Sequence, residues 1–307
     1  MGRYVLRRLL QMVPVFVGAT LLIFLMVNVM GDPVAGLCGE RQCDAATAAQ
    51  LKREYGLDQS LARQYLTYMG NVLTGDFGTA FNGQRVTELM STAFPVTVRL
   101  TIVAVCFEIV IGITLGVVTG LRRGRPVDTT VLLGTLVVVS VPTFVTGLLL
   151  QLLLGVEWGW IKPSVSTAAP FDELIVPGLV LASVSLAYVT RLTRTSIAEN
   201  RRSDHVRTAV AKGLPRRRVI VRHLLRNSLI PVVTFIGTDI GALMGGAIVT
   251  ERIFNIHGVG YQLYQGVLRQ NTQTVVGFVT VLVLVFLAAN LLVDLLYAVL
   301  DPRIRYA

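Results

Sequence analysis

Charge is scarce in this chain. Only 15% of its 307 residues are Asp, Glu, Lys or Arg, 53% are hydrophobic, and mean hydropathy is +0.65. That balance excludes an ordinary water-soluble protein of this length. Histidine is scarce too: His205, His223 and His257 stand outside the long apolar runs and outside any H-E-x-x-H pattern, which leaves metal-dependent hydrolysis without a ligand set. They are expected to be surface residues. No stretch fits G-x-x-x-x-G-K-[ST], so the chain lacks the glycine-rich cradle and lysine that would hold nucleotide phosphates. Three cysteines are too few for a disulfide scaffold. Cys38 and Cys43 have four residues between them in a segment read as external; a bridge and two free thiols both remain open there. Cys106, inside an apolar run, is expected to be a small buried hydrophobe.

What is present in quantity is apolar sequence. Runs at about 9–30, 96–120, 130–154, 174–190, 231–249 and 275–300 each reach or approach the ~20 residues that cross a ~30 Å hydrocarbon layer. The fold expected is an all-α integral membrane protein with six transmembrane helices. Arg3, Arg7 and Arg8 before the first run resemble a signal peptide, but no small-x-small site follows it, so the run is read as a retained span. Six spans put both termini on one side. The segments assigned inward (1–8, 121–129, 191–230, 301–307) hold nineteen Lys or Arg, and the longer outward segments (31–95, 155–173, 250–274) hold eight, so both termini are expected to be cytoplasmic. Placed there, the net charge of +10 suits anionic lipid and an acidic partner rather than nucleic acid. The domains expected are an N-terminal region with the first span (1–30), an extracytoplasmic segment with short helices (31–95), and a five-helix core (96–307) with a cytoplasmic loop at 191–230.

In the external segment, apolar spacing predicts short helices over Ala45–Tyr55 and Leu61–Leu73, separated by Gly56 and stopped by Gly75. Either a delivery protein docks on them or they cap the spans. Pro95 is expected before the second span and Pro142 inside the third, where it should kink the helix. Gly237, Gly241, Gly245 and Gly246 in the fifth span fall at or near four-residue spacing, which allows close helix approach.

The loop from 191 to 230 carries eleven Arg or Lys and two acids, Glu199 and Asp204. Within it Asp204 can cap a short helix whose apolar side is Val206, Ala209, Val210 and Leu214, broken at Gly213. A helix of eight residues is unstable alone and needs something to lie against.

The stretch VRTAVAKGLPRRRVIVRHLLRNSLIP, from Val206 to Pro231, resembles the coupling loop of the inner-membrane permeases of ATP-driven importers, in the dipeptide/oligopeptide class. Their motif, EAA, three residues, then Gly, is matched by Arg207, Thr208 and Ala209 followed by Gly213. Arg207 and Thr208 depart from the general form, and the usual Leu-Pro is absent at Leu225 and Arg226. Both departures are those of the peptide-importer branch. GDPVAG, YGLDQSLARQYLTYMGNVLTGDFGTAF and FPVTVRLTI near the start, and GGAIVTERIFNIHGVG and NLLVDLLYAVLDPRIRY near the end, are similar to the B-type permease subunit of that class.

The resemblance implies a type I ABC importer permease-like fold in a prokaryotic inner membrane. It implies a homologous second permease subunit, two cytoplasmic ATP-binding subunits, an external substrate-binding protein and a peptide cargo. ATP and Mg would be bound by the partner subunits, with no cofactor or metal on this chain. The coupling residues carried over are Asp204, Val206, Arg207, Thr208, Ala209, Lys212, Gly213 and Leu214, with Ala209 and Gly213 for docking and Arg207 as a charged contact. Glu108, Asp239, Asn290 and Asp294 lie in apolar helices, where they line the cargo path or pair helices. The rivals are an intramembrane aspartyl protease built on Asp239 and Asp294, disfavoured because GTDIG and LVDLL lack its motif, and a self-sufficient secondary carrier, which would need no basic docking loop.

Overall fold

In the computed structural model, residues 2–30, 44–54, 56–80 and 83–300 are described. The Cys38 and Cys43 pair falls outside them. The described chain is helical almost throughout, with one isolated bridge between Thr79 and Arg85. In chain order the helices are α1 (Gly2–Met30), α2 (Ala45–Glu54), α3 (Leu61–Leu73), α4 (Val86–Leu121), α5 (Pro126–Ser140), α6 (Thr143–Glu157), α7 (Ile175–Asn200), α8 (Asp204–Ala211), a helical run α9 over 216–228, α10 (Ile230–Ile253), α11 (Val259–Leu268) and α12 (Thr272–Leu300).

Among the described residues, segments of α1, α4, α7, α10 and α12 are long and apolar enough to cross a membrane. A sixth crossing would have to be made by a bent pair, α5 with α6. Where one kinked span was expected over 130–154, α5 and α6 meet at 98°, and at about 22 Å each neither arm reaches across alone. Pro142 forces extended backbone on the residue before it, and Val141 (ψ 125°) and Pro142 (ψ 136°) are both out of the helix. The second span also starts earlier than expected. Val86, Met90 and Ala93 are buried in a core cluster, so the helix forms from Val86 and Pro95 sits within it. Cys106 is exposed on α4 instead of buried.

Two compact units divide the chain: Met1–Val98 with Ala247–Ala288, and Arg99–Gly246 with Ala289–Ala307. In the first, Val86, Met90, Ala93, Val259, Leu263, Val275 and Phe278 form the core. The helix α3 packs on α1 through Tyr65 against Phe24 and Thr20, and Tyr68 bonds Thr280 on α12 at 2.8 Å. Burial pushes the Tyr68 phenol up to about 12. The two short helices form where apolar spacing placed them, with Gly56 (φ +64°) and Gly75 (φ +78°) supplying the left-handed backbone at their ends. His257 is not a plain surface residue: its Nδ1 is buried and its ring lies 4.6 Å from that of Tyr261.

The second unit is organised by α4 against α7. Gly112, Gly116 and Gly120 fall four residues apart, and a Cβ on any of them would collide with Val189, Thr193 or Ile197 on α7. Only glycine permits this backbone approach. The exposed loop after α6 is tied down by Arg99, which donates to the Ala168 and Ala169 carbonyls at 2.9 and 3.0 Å. Lys162 and Glu173 form an ion pair there at 2.7 Å. Lys162 and the Ser166 N–H hold the Glu173 carboxyl down to about 2.

Candidate functional site

The basic segment is less of a loop than expected from 191–230. Its first ten residues continue α7 and its last third is α9; a helix can carry Arg194 here because Asp128 pairs with it. What remains is a turn at 201–203, α8, and a turn at 212–215.

The helix α8 is delimited by its own chemistry. Ser203, extended at φ −70° and ψ 153°, is the N-cap, and Asp204 is the first helical residue rather than the cap. At the other end Gly213 has φ +71°, its N–H donates to the Val210 carbonyl at 2.9 Å, and the Leu214 N–H donates to Ala209 at 3.3 Å. That is a Schellman stop with Leu214 folded under the helix. Nothing lies within 4 Å of a Cβ placed on Gly213, so a substitution there costs about 1–2 kcal/mol of backbone strain rather than a clash.

The two faces of α8 differ. Val206 and Ala209 are buried against Ile197 of α7 and Val219 and Leu224 of α9, with Val117 and Leu121 of α4 and Leu214 alongside. The opposite side presents Arg207, Thr208, Val210, Ala211 and Lys212. Val210, expected on the apolar side, is 61% exposed, whereas Ala209 is 3% exposed. Ala209 therefore anchors the helix to its own chain and is not a surface for a partner. The large apolar residue that α8 leaves exposed is Val210, because the inner face is already filled by the ends of α4, α7 and α9. His205 ties α8 to α9 through Asn227 at 3.1 Å.

Of the polar residues within spans, Glu108 is fully buried on a π-helical turn of α4 (Glu108–Gly112) and accepts a hydrogen bond from Ser185 of α7 at 2.5 Å. Asp239 of α10 comes within hydrogen-bonding reach of the same group. One oxygen of each, Glu108 Oε2 and Asp239 Oδ2, is buried without a partner. The carboxyl beside Asp239 is thus that of Glu108. Asn290 and Asp294 are half-buried on α12.

Three arrangements escaped the sequence reading. Asp128 at the start of α5 receives both Arg194 Nε and Nη2, at 2.5 and 2.8 Å, and the Gly124 N–H at 2.9 Å; one acid amid Arg122, Arg123 and Arg125 was its signal. Glu251 of α10 is fully buried, accepts from Thr97 at 2.6 Å and from the Tyr261 N–H at 2.9 Å, and closes the Gly258–Gly260 turn onto itself. The glycine stripe of α4 was legible from its spacing. By contrast, Gly245 and Gly246 of the fifth span have open space around them, whereas a Cβ on Gly237 would collide with Val293, and Gly241 is buried.

Comparison with known proteins bears directly on this arrangement. Residues 112–306 match the family model of the binding-protein-dependent transport system inner membrane component, and residues 1–101 match the N-terminal model of the same membrane components. The chain is 37% identical to the dipeptide transport system permease protein DppB of Escherichia coli, covering 100% of this chain and 99% of that one. It is 35% identical to the di/tripeptide transport system permease protein DppB of Pseudomonas aeruginosa, covering 99% and 98%. It is 36% identical to the glutathione transport system permease protein GsiC of Salmonella choleraesuis, covering all of both. With family models matching almost its whole length and relatives of 35–37% identity covering it end to end, the chain belongs to the family of binding-protein-dependent transport system inner membrane components, multi-pass permeases of bacterial importers.

Proposed function

We propose that this chain is the B-type permease subunit of an ATP-driven importer of dipeptides or other short peptides. It forms half of a translocation path with a homologous second permease subunit. Both termini and α8 lie on the cytoplasmic side, the segment 31–95 lies outside, and the remainder from 96 carries the path. ATP and Mg belong to two ATP-binding subunits, one of which grips α8, and an external binding protein delivers cargo. Similarity to dipeptide, di/tripeptide and glutathione permeases supports a peptide-like cargo.

The observation that carries the coupling role is the division of α8 into a buried face, Val206 and Ala209, and an open face, Arg207, Val210 and Lys212. A short helix clamped to the ends of α4 and α7 transmits a push on its open face to the spans instead of rolling. Arg207 and Lys212 supply charge for an acidic groove, and Val210 the apolar centre.

The test is Val210→Asp in the complex reconstituted with its ATP-binding subunits and loaded binding protein. Val210 is exposed, so the chain still folds, while a charge at the centre of the contact lowers cargo-stimulated ATP hydrolysis by roughly tenfold or more. Unchanged stimulation and transport would remove α8 from the coupling path.

A further inference from the structure

Beside the coupling helix lies a second feature with its own chemistry. Gly120 and Arg123 at the end of α4, Gly124 in the following turn, and Ala198, Arg201 and Arg202 at the end of α7 line an open recess of about 560 Å³. Its charged lining is entirely cationic. Asp128 is bonded by Arg194 and the Gly124 N–H and makes no hydrogen bond to Arg123, although the charge of Arg123 acts on it. Arg201 uses Nη1 to bond the Leu121 carbonyl at 3.0 Å, which fixes its guanidinium and leaves its other donors free of that bond. Arg123 and Arg202 form no ion pair among the described residues.

Complementing the helix ends does not account for this much charge, because a C-terminal dipole carries only about half an elementary charge and Arg201 already caps α4. The recess is also held in shape. Gly120 lets α4 contact Ile197 at backbone distance, Gly124 takes φ +79°, and the Asp128–Arg194 pair closes the turn from behind. Both contributing helices contain an apolar stretch long enough to cross a membrane, and both end here.

We propose that this recess binds a phosphate group, and that the phosphate is that of an anionic phospholipid such as phosphatidylglycerol. Three guanidiniums at a span end match a phosphodiester by charge and by paired N–H donors. The location at the ends of two spans favours a lipid over a soluble anion.

The full chain, purified in neutral detergent and stripped of lipid, would be reloaded with phosphatidylglycerol or phosphatidylcholine, and retained lipid read by native mass spectrometry. Phosphatidylglycerol should be retained over phosphatidylcholine. The triple variant Arg123→Gln, Arg201→Gln, Arg202→Gln should lower the apparent affinity by roughly two orders of magnitude. Arg216→Gln, Arg217→Gln, Arg218→Gln removes the same formal charge outside the recess and should retain the lipid. Should the triple variant fail to fold, Arg202→Gln alone should give a loss of about fivefold. Equal loss in the 216–218 control, equal retention of phosphatidylcholine, or displacement by inorganic phosphate at matching concentration would each overturn the lipid assignment. So would a recess variant that keeps its lipid but no longer binds the ATP-binding subunits, which would make the recess a protein contact.

Discussion

Replacing Arg194 by Gln and replacing Asp128 by Asn remove the same ion pair but leave different debris behind. Asp128 has 4% of its side chain exposed and Arg194 has 18%. After Arg194→Gln, a carboxylate stays buried with the Gly124 N–H as its remaining donor. An uncompensated buried charge of that kind costs about 3–5 kcal/mol. After Asp128→Asn, the guanidinium lies close to the end of its span and can reach water along its own stem. The loss is then that of two charge-assisted hydrogen bonds, about 1.5–3 kcal/mol. The double variant has neither charge and should lie close to the Asp128→Asn value, so the coupling energy should equal the Arg194→Gln loss itself, about 3–5 kcal/mol. Urea titration of the four forms in one mild detergent measures the cycle. Equal single losses, or a double variant whose loss is the sum of the singles, would refute the claim that burial asymmetry controls this pair.

Gly116→Ala should destabilise the chain by about 1–3 kcal/mol, because the new Cβ meets Thr193 and the Thr190 carbonyl. Gly245→Ala, which has open space around it, should be neutral or stabilising by up to about 1 kcal/mol in the isolated chain. Thermal unfolding in detergent reads both, and a larger loss at Gly245 would reverse the assignment of the packed glycines. For Tyr68 the folded pKa stands above the unfolded value of about 10. Its contribution to stability is therefore complete below pH 10 and lost as pH rises toward about 12. In ultraviolet titration, Tyr68→Phe should delete the highest phenolate step, and an unchanged profile would show that another tyrosine supplies it.

Local features of the fold were legible in the sequence because they depend on neighbours along the chain. The periodicity of Ala45–Glu54 and Leu61–Leu73, and the stop of α8 at Gly213, need only spacing and one left-handed residue. Orientation across the chain was less legible. Val210 and Ala209 are both small apolar residues on α8, and which one turns inward depends on where Ile197, Val219 and Leu224 arrive. Pro142 announces a kink, but 98° results from Val141 also leaving the helix. Asp239 and Asp294 stood out as acids at similar depth, yet the carboxyl that interacts with Asp239 comes from Glu108 of α4, on the π-helical turn Glu108–Gly112, because which helix faces α10 is decided by packing and not by depth along one helix.

These contacts make the coupling proposal mechanical rather than positional. The core beneath α8 shares Ile197 with the glycine seam, since Ile197 packs under Val206 and Ala209 and also against Gly120. Further along the same seam Gly116 meets Thr193 and Gly112 meets Val189. The acid pair then takes over, with Ser185 of α7 bonded to Glu108 of α4 and Asp239 of α10 in reach. From the buried face of α8 to this carboxyl pair the links are close contacts between helices, and close-packed contacts pass on displacement instead of absorbing it. On this proposal a force on Val210 would reach Glu108 and Ser185 along the α4–α7 seam.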